Sequence, residues 1–300
     1  MRDEEDEIED SAAPLIEHLA ELRTRLIRSV LAFLVGMVVC FAFASAILDF
    51  LVGPIEATLR ALGDPDPRMI YTSPQEYFFT LIRISMVFGL AASFPVIAHQ
   101  MWRFVAPGLY RSEKSAFLPF LIASPVLFMM GAAFAHFVVT PLAMQFFLGF
   151  ADVASLFAGL MTAPPEVDIA EGAPPPADTG VDIIFLGKVN ESLDITLKFI
   201  VAFGLCFQLP VLLSLMGKAG LVTAESLRRM RKYAIVGILT LAALVTPPDV
   251  ITQVILFTVV YALYEVSIQL VRIIENKREA QLRAEGYYDD EDEPQAKPGA

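Results

Sequence analysis

Apolar residues in this chain seldom alternate with polar ones. They run almost unbroken in six stretches, separated by segments dense in charge, proline and glycine. A helix that crosses the hydrocarbon core of a bilayer needs ~20 such residues. The pattern predicts spans at 29–52, 78–98, 117–150, 193–217, 233–246 and 250–271. The third is interrupted by Pro119, Pro125 and Pro141. As one straight helix it would be ~51 Å long, so it is expected to tilt, kink or protrude. The fifth would be only ~21 Å long, a length that thins the bilayer or hides behind neighbours. Thr246-Pro247-Pro248-Asp249 reads as a tight turn between the last two. The expected fold is therefore all-α, a polytopic membrane protein with six transmembrane helices.

Lysine and arginine orient these spans, because they accumulate on the cytoplasmic side. Arg2, Arg23, Arg25 and Arg28 precede the first span, and Arg103, Arg111 and Lys114 lie near the second connection. Lys218, Arg228, Arg229, Arg231 and Lys232 lie between spans four and five; Arg272, Lys277, Arg278, Arg283 and Lys297 follow the sixth. Only Arg60, Arg68, Arg83, Lys188 and Lys198 fall elsewhere. Both termini are thus expected in the cytoplasm, with residues 14–275 as the membrane domain. The outer connection after the first span contains Gly53-Pro54 and Asp64-Pro65-Asp66-Pro67 and reads as a turn-rich loop. The outer connection 151–192 is long, acidic and proline-rich, with an acidic insert near 164–182 in which Gly172–Gly180 reads as flexible.

Composition narrows the function classes. The chain has 300 residues, 56% of them hydrophobic and 19% charged. A soluble globular chain is about 45–50% apolar and about 25% charged, so a water-soluble enzyme of this size is excluded. The net charge is −12. Much of it comes from residues 1–13 and 276–300, both expected as charged, disordered tails. A nucleic-acid partner is not expected, since duplex binders present basic surface. Cys40 and Cys206 both lie in apolar runs and read as small core hydrophobes. No phosphate-binding Gly-x-x-x-x-Gly-Lys-Ser/Thr, zinc-type His-Glu-x-x-His or nucleophile-elbow Gly-x-Ser-x-Gly is present. Neither catalytic residues, nor a metal site, nor a cofactor is predicted.

The remaining polar groups carry the functional reading. Leu15, Leu19, Leu22 and Leu26 share one face of a helix leading into the first span. Glu21 lies beside Arg23, Arg25 and Arg28. It is read either as the i,i+4 partner of Arg25 or as an acceptor for a cationic ligand. Glu113 is the acid of the second cytoplasmic connection, flanked by Arg111 and Lys114. It is either a surface ion pair or part of the same acceptor. Gln208 and Glu265 fall at membrane depth, where polar groups face protein or a water-filled cavity. Arg83 and Lys198 lie near the outer ends of their spans, where long side chains snorkel.

Several motifs, in one order, resemble the TatC family, the large polytopic subunit of the twin-arginine, Sec-independent protein translocase. They are Leu19-Ala-Glu-Leu-Arg-x-Arg-Leu26, Phe94-Pro-Val96 and the run from Trp102 to Lys114. Phe134-x-x-Phe-Val-Val-x-Pro-Leu142, Ala202-Phe-Gly-x-x-Phe-Gln-Leu-Pro210, Leu227-Arg-Arg-x-Arg-x-Tyr233 and Leu244-Val-Thr-Pro-Pro-Asp249 follow. The resemblance runs from about residue 14 to about residue 275. It implies a scaffold in the bacterial inner membrane that binds the Arg-Arg signal peptides of folded cargo at its cytoplasmic face. It also implies a hetero-oligomer with small single-span Tat subunits of the TatA/TatB type, embedded in membrane lipid and driven by the proton-motive force. Glu21 and Glu113 stand where the family places its signal-binding carboxylates, with His18, Arg23, Phe104 and Tyr110 nearby. Gln208 matches a partner-contact position at which many relatives carry glutamate, so the resemblance implies hydrogen bonding there without titration. Pro54 and Asp249 match structural positions in the outer loops. The other class weighed, a secondary transporter for a small solute, would show paired broken helices around midplane charges. An intramembrane enzyme would need a nucleophile–base pair, and the sequence offers none.

Overall fold

The computed structural model describes residues 2–62, 65–105, 118–149, 187–246 and 250–284; side chains are described from Leu19 onward except at Trp102, Val105, Leu118 and Ala284. Helix α1 spans Arg2–Ala42. Its first turns take in the acidic segment expected to be a disordered tail. Acids are favoured at a helix N-terminus by its partial positive charge. The predicted span 29–52 breaks at Phe43, whose N–H bonds back to the Cys40 carbonyl at 3.1 Å in a tight i→i−3 closure. Helix α2 (Ala44–Ala61) follows, with Pro54 inside it. That corrects the reading of Pro54 as a loop residue. Leu48, Leu51, Ile55 and Leu59 bury one stripe of α2 at helical spacing, and this packing outweighs the Gly53-Pro54 turn signal.

Strand β1 (Met69–Ile70) pairs in parallel with β2 (Gly187–Lys188), Met69 opposite Gly187 and Ile70 opposite Lys188. The pairing ties two outer segments distant in sequence. Helix α3 covers Pro74–Val105. Helix α4 (Leu118–Phe134) passes through a π-turn, Ala135–Val139, into α5 (140–149). Pro141 has no N–H for the next i→i−4 bond, and the wider turn ends where both the N–H and the hydroxyl of Thr140 donate to the Ala135 carbonyl. Proline also divides the fourth apolar stretch. Pro210 cannot donate to the Cys206 carbonyl, so α6 (Val189–Cys206) ends and α7 (Leu209–Lys218) restarts.

Helix α8 (Ala224–Arg229) is capped by Thr223, whose hydroxyl accepts from the Ser226 N–H. Helix α9 (Arg231–Val245) has 15 residues, ~22 Å, and α10 runs Val250–Ala284. The expected tail from 276 thus starts as helix, in a segment rich in Arg, Glu, Lys, Gln, Leu and Ala. Five helical stretches among the described residues are long and apolar enough to cross a membrane: Leu19–Ala42, Pro74–Met101, Pro119–Gly149, Val189–Lys218 and Val250–Arg283. The fifth predicted span, within α9, falls short of that length.

The core gathers on α6 and α10. Phe199 and Phe203 of α6 are fully buried, and Leu256, Val260, Tyr264, Ile268 and Val271 form one buried stripe of α10. By contrast, Leu26, Val30, Val35 and Val38 of α1 are exposed together. In water such a patch would drive aggregation; in a bilayer it faces lipid. Lipid gives helices no hydrophobic reason to associate, so close packing and buried hydrogen bonds must do it. A Cβ on Gly89 would lie 2.6 Å from Met37 Cα, and one on Gly131 would lie 2.5 Å from the Phe203 carbonyl oxygen. These two glycines let α3 approach α1, and α4 approach α6, at backbone contact. On the cytoplasmic side, Tyr264 donates to the Leu227 carbonyl at 2.7 Å, and the Ala224 N–H donates to Glu275 at 3.0 Å. Arg231 and Glu265 add an ion pair at 2.7 Å between α9 and α10.

Candidate functional site at the cytoplasmic ends of α1 and α3

The Gly36–Gly89 contact fixes the register of two antiparallel helices. A Cβ on Gly36 would lie 2.8 Å from the Gly89 carbonyl oxygen. Glu21 stands 15 residues before Gly36, and Phe104 stands 15 residues after Gly89. Each is therefore ~22 Å from the crossing in the same direction. The packing of α1 on α3 thus brings Glu21 and Phe104 to one level at the cytoplasmic end. By the same register, Gln100 lies level with Arg25. Its Oε1 is buried and has no hydrogen-bond partner among the described residues.

The Glu21 carboxylate is partly buried, with 34% of its side chain exposed, and Arg25 beside it retains 14%. Arg25 Nε donates to Glu21 Oε1 at 3.0 Å, and Arg25 Nη2 donates to the same oxygen. The i,i+4 pairing weighed from the sequence is thus formed. It also holds the carboxylate in one orientation at a half-buried position, where an ion pair is screened less than on an open surface. Arg23, two residues along, is exposed. His18 is on the same helix three residues before Glu21, and its side chain lies outside the described set. Phe104 is half-buried in the last turn of α3. Glu113 and Tyr110 lie outside the described residues, in the connection that begins one residue after α3 ends. Asp249 and the acidic insert near 164–182 lie outside them as well.

Gln208 lies on a different element, at the break between α6 and α7. Its Oε1 accepts from Ser124 Oγ at 2.6 Å, and its Nε2 donates to the Ser124 carbonyl at 2.9 Å. The amide head therefore closes a two-bond clasp on α4 and keeps a second Nε2 hydrogen. Among the described residues, no group of three or more His, Cys, Asp or Glu side chains could hold a metal.

The family model described as Sec-independent protein translocase protein (TatC) matches residues 17–258. The chain belongs to the TatC family. The TatC of Magnetococcus marinus is 42% identical over 290 residues, covering 94% of this chain and 95% of that protein. That of Aquifex aeolicus is 40% identical over 265 residues, covering 88% and 97%. A crystal structure described as twin arginine translocase receptor TatC is 38% identical with a TM-score of 0.67, covering 86% of this chain and 99% of its own. A second, in DDM, is 39% identical with a TM-score of 0.66, covering 84% and 98%. The chain is thus a TatC-family subunit of the bacterial protein translocase, a multi-pass protein of the inner membrane. Three features of this TatC-family chain escaped the sequence reading: the Ser124 clasp on Gln208, the level of Gln100 and the sharing of Asp194 by Arg83 and Lys198. Each depends on which faces of distant helices meet. The Glu21–Arg25 pair, and the Asp194–Lys198 half of that triad, had a local signal in their four-residue spacing.

Proposed function

We propose that the cytoplasmic ends of α1 and α3, with the connection after α3, are the receptor for the Arg-Arg signal peptides of folded cargo. The observation that carries this reading is the level at which the α1–α3 register sets Glu21 and Phe104. A half-buried carboxylate, pre-oriented by Arg25, stands level with the last turn of α3, after which the chain continues to Glu113. Two carboxylates offer fork-shaped acceptors to two guanidiniums, a geometry that ammonium groups do not match. The buried Gln100 acceptor, level with Arg25, is one more group that an incoming guanidinium would satisfy. His18, Arg23 and Tyr110 shape the rim. The apolar outer wall of the bundle gathers the small single-span Tat subunits, with Gln208 offering its remaining N–H to a partner helix. The chain acts as a scaffold and performs no bond chemistry.

A photocrosslinker placed beside the arginine pair of a signal peptide tests the reading in membranes containing the complete translocase. The expected adducts map to the N-terminal part of α1 and the 106–117 connection. Adducts confined to the small subunits, with none on this chain, would contradict it.

A further inference from the structure

A second site lies at the opposite end of the molecule. A cavity of about 660 Å³ opens between α3, α6, α9 and α10 in the outer half of the bundle. That volume falls within the ~300–1,000 Å³ typical of small-ligand sites. Its walls are apolar, built by Leu197, Val201 and Leu205 of α6 and by Leu241 and Leu244 of α9 among others. Leu244 is 83% exposed and Leu205 51%. The charged groups of the lining are Arg83, Asp194 and Lys198. Arg83 is nine residues into α3, and Asp194 and Lys198 are five and nine residues into α6, so all three sit toward the outer end.

Among the described residues, charge is unbalanced there. Arg83 Nη1 donates to Asp194 Oδ1 at 3.1 Å and to Asn190 Oδ1 at 3.0 Å, while Lys198 Nζ holds Asp194 Oδ2 at 2.7 Å. Two cations share one carboxylate. The other outer bases among the described residues each have their own acid: Arg60 with Glu56, Arg68 with Asp66 and Lys188 with Glu191. At the edge of the hydrocarbon region such long basic side chains reach the interface, where a surplus positive charge attracts an anionic headgroup. We propose that the cavity is a binding site for an anionic phospholipid of the outer leaflet. Its phosphate sits on Arg83 and Lys198, and its acyl chain runs inward between α6 and α9. Such a lipid matches both the apolar walls and the surplus charge at the mouth. A purely apolar partner helix would fill the walls and leave the charge unanswered.

The test is native mass spectrometry of the full chain in mild detergent, titrated with phosphatidylglycerol or with phosphatidylcholine of the same acyl chains. The parent is expected to retain phosphatidylglycerol roughly tenfold better. The Arg83→Gln/Lys198→Gln double variant should lose that preference, and Arg83→Lys/Lys198→Arg should keep it. Asp194→Asn, which frees both cations, should raise it. A phosphatidylglycerol with a photoreactive tail should label α6 and α9. Equal retention of the two lipids by the parent would overturn the proposal, as would a preference unchanged in the double variant. So would crosslinkers at Leu205 and Leu244 that capture a small Tat subunit while anionic lipid is excluded; the groove would then be a protein dock.

Discussion

At the scale of single residues, the polar side chains of this membrane protein divide by what already occupies them. Gln208 is clasped to Ser124 on α4 by one accepted and one donated bond. Glu21 is held by Arg25, in a setting that leaves a third of its side chain open. The first arrangement stabilises the bundle, and the second holds a carboxylate in one orientation. Replacing Gln208 by leucine removes both bonds to Ser124 and strands its hydroxyl at a buried position. Interhelical bonds of this kind contribute about 1 kcal/mol each in membrane proteins. Gln208→Leu is thus expected to lower the melting temperature of the detergent-solubilised protein and weaken co-purification of a small Tat subunit. Binding of signal peptide at the α1–α3 site should survive. A variant that melts lower yet co-purifies the subunit at the parent level would restrict Gln208 to its clasp with Ser124.

At the scale of elements, the glycine crossing of α1 and α3 sets the geometry of the cytoplasmic site. In Gly89→Leu the new Cβ meets Met37 backbone, so the helices must separate rather than let a side chain swing aside. Overpacking of this sort costs about 1–3 kcal/mol. The expected outcome is a lower melting temperature together with loss of signal-peptide affinity, although the Gly36–Gly89 crossing lies ~22 Å from Glu21 along α1. Unchanged affinity in a folded variant would show that the register does not govern the site. The helical, polytopic character of the chain was legible from its apolar runs, because bilayer thickness imposes a length on any helix that crosses it. The elements inside those runs were less so. The break at Phe43 has no proline or glycine at the site to announce it. Pro54 reads as a turn in isolation, yet α2 buries four apolar residues around it. The i,i+4 spacing of Glu21 and Arg25 was visible, whereas the meeting of Gln208 with Ser124 needed the packing of α4 on α6. The carboxylate pair itself was legible only through family resemblance, since a lone Glu113 among bases looks like any surface ion pair.

At the scale of the whole molecule, charge asymmetry orients the bundle, and the two ends are built for different tasks. The basic side presents the α1–α3 site. The outer side carries the β1–β2 pairing, helix α2 and the cavity between α3, α6, α9 and α10. Single cysteines at Arg2→Cys, Lys297→Cys and Pro175→Cys, in a background with Cys40→Ala and Cys206→Ala, report this orientation. The first two should react with an impermeant thiol reagent only from the cytoplasm, and the third only from outside; the opposite pattern would invert the bundle and remove the receptor from its cargo. The central claim rests on Glu21 and Glu113. Charge-assisted bonds between a guanidinium and a partly desolvated carboxylate contribute about 1.5–3 kcal/mol each, so losing one should weaken binding roughly 10- to 150-fold. The decisive measurement is the affinity of the detergent-solubilised protein for one signal peptide in Arg-Arg and Lys-Lys versions, in the parent and in Glu21→Gln and Glu113→Gln. Each substitution is expected to abolish most Arg-Arg binding and barely change the already weak Lys-Lys binding. If both variants hold the Arg-Arg peptide within about twofold of the parent, a difference under ~0.5 kcal/mol, these carboxylates are not the receptor.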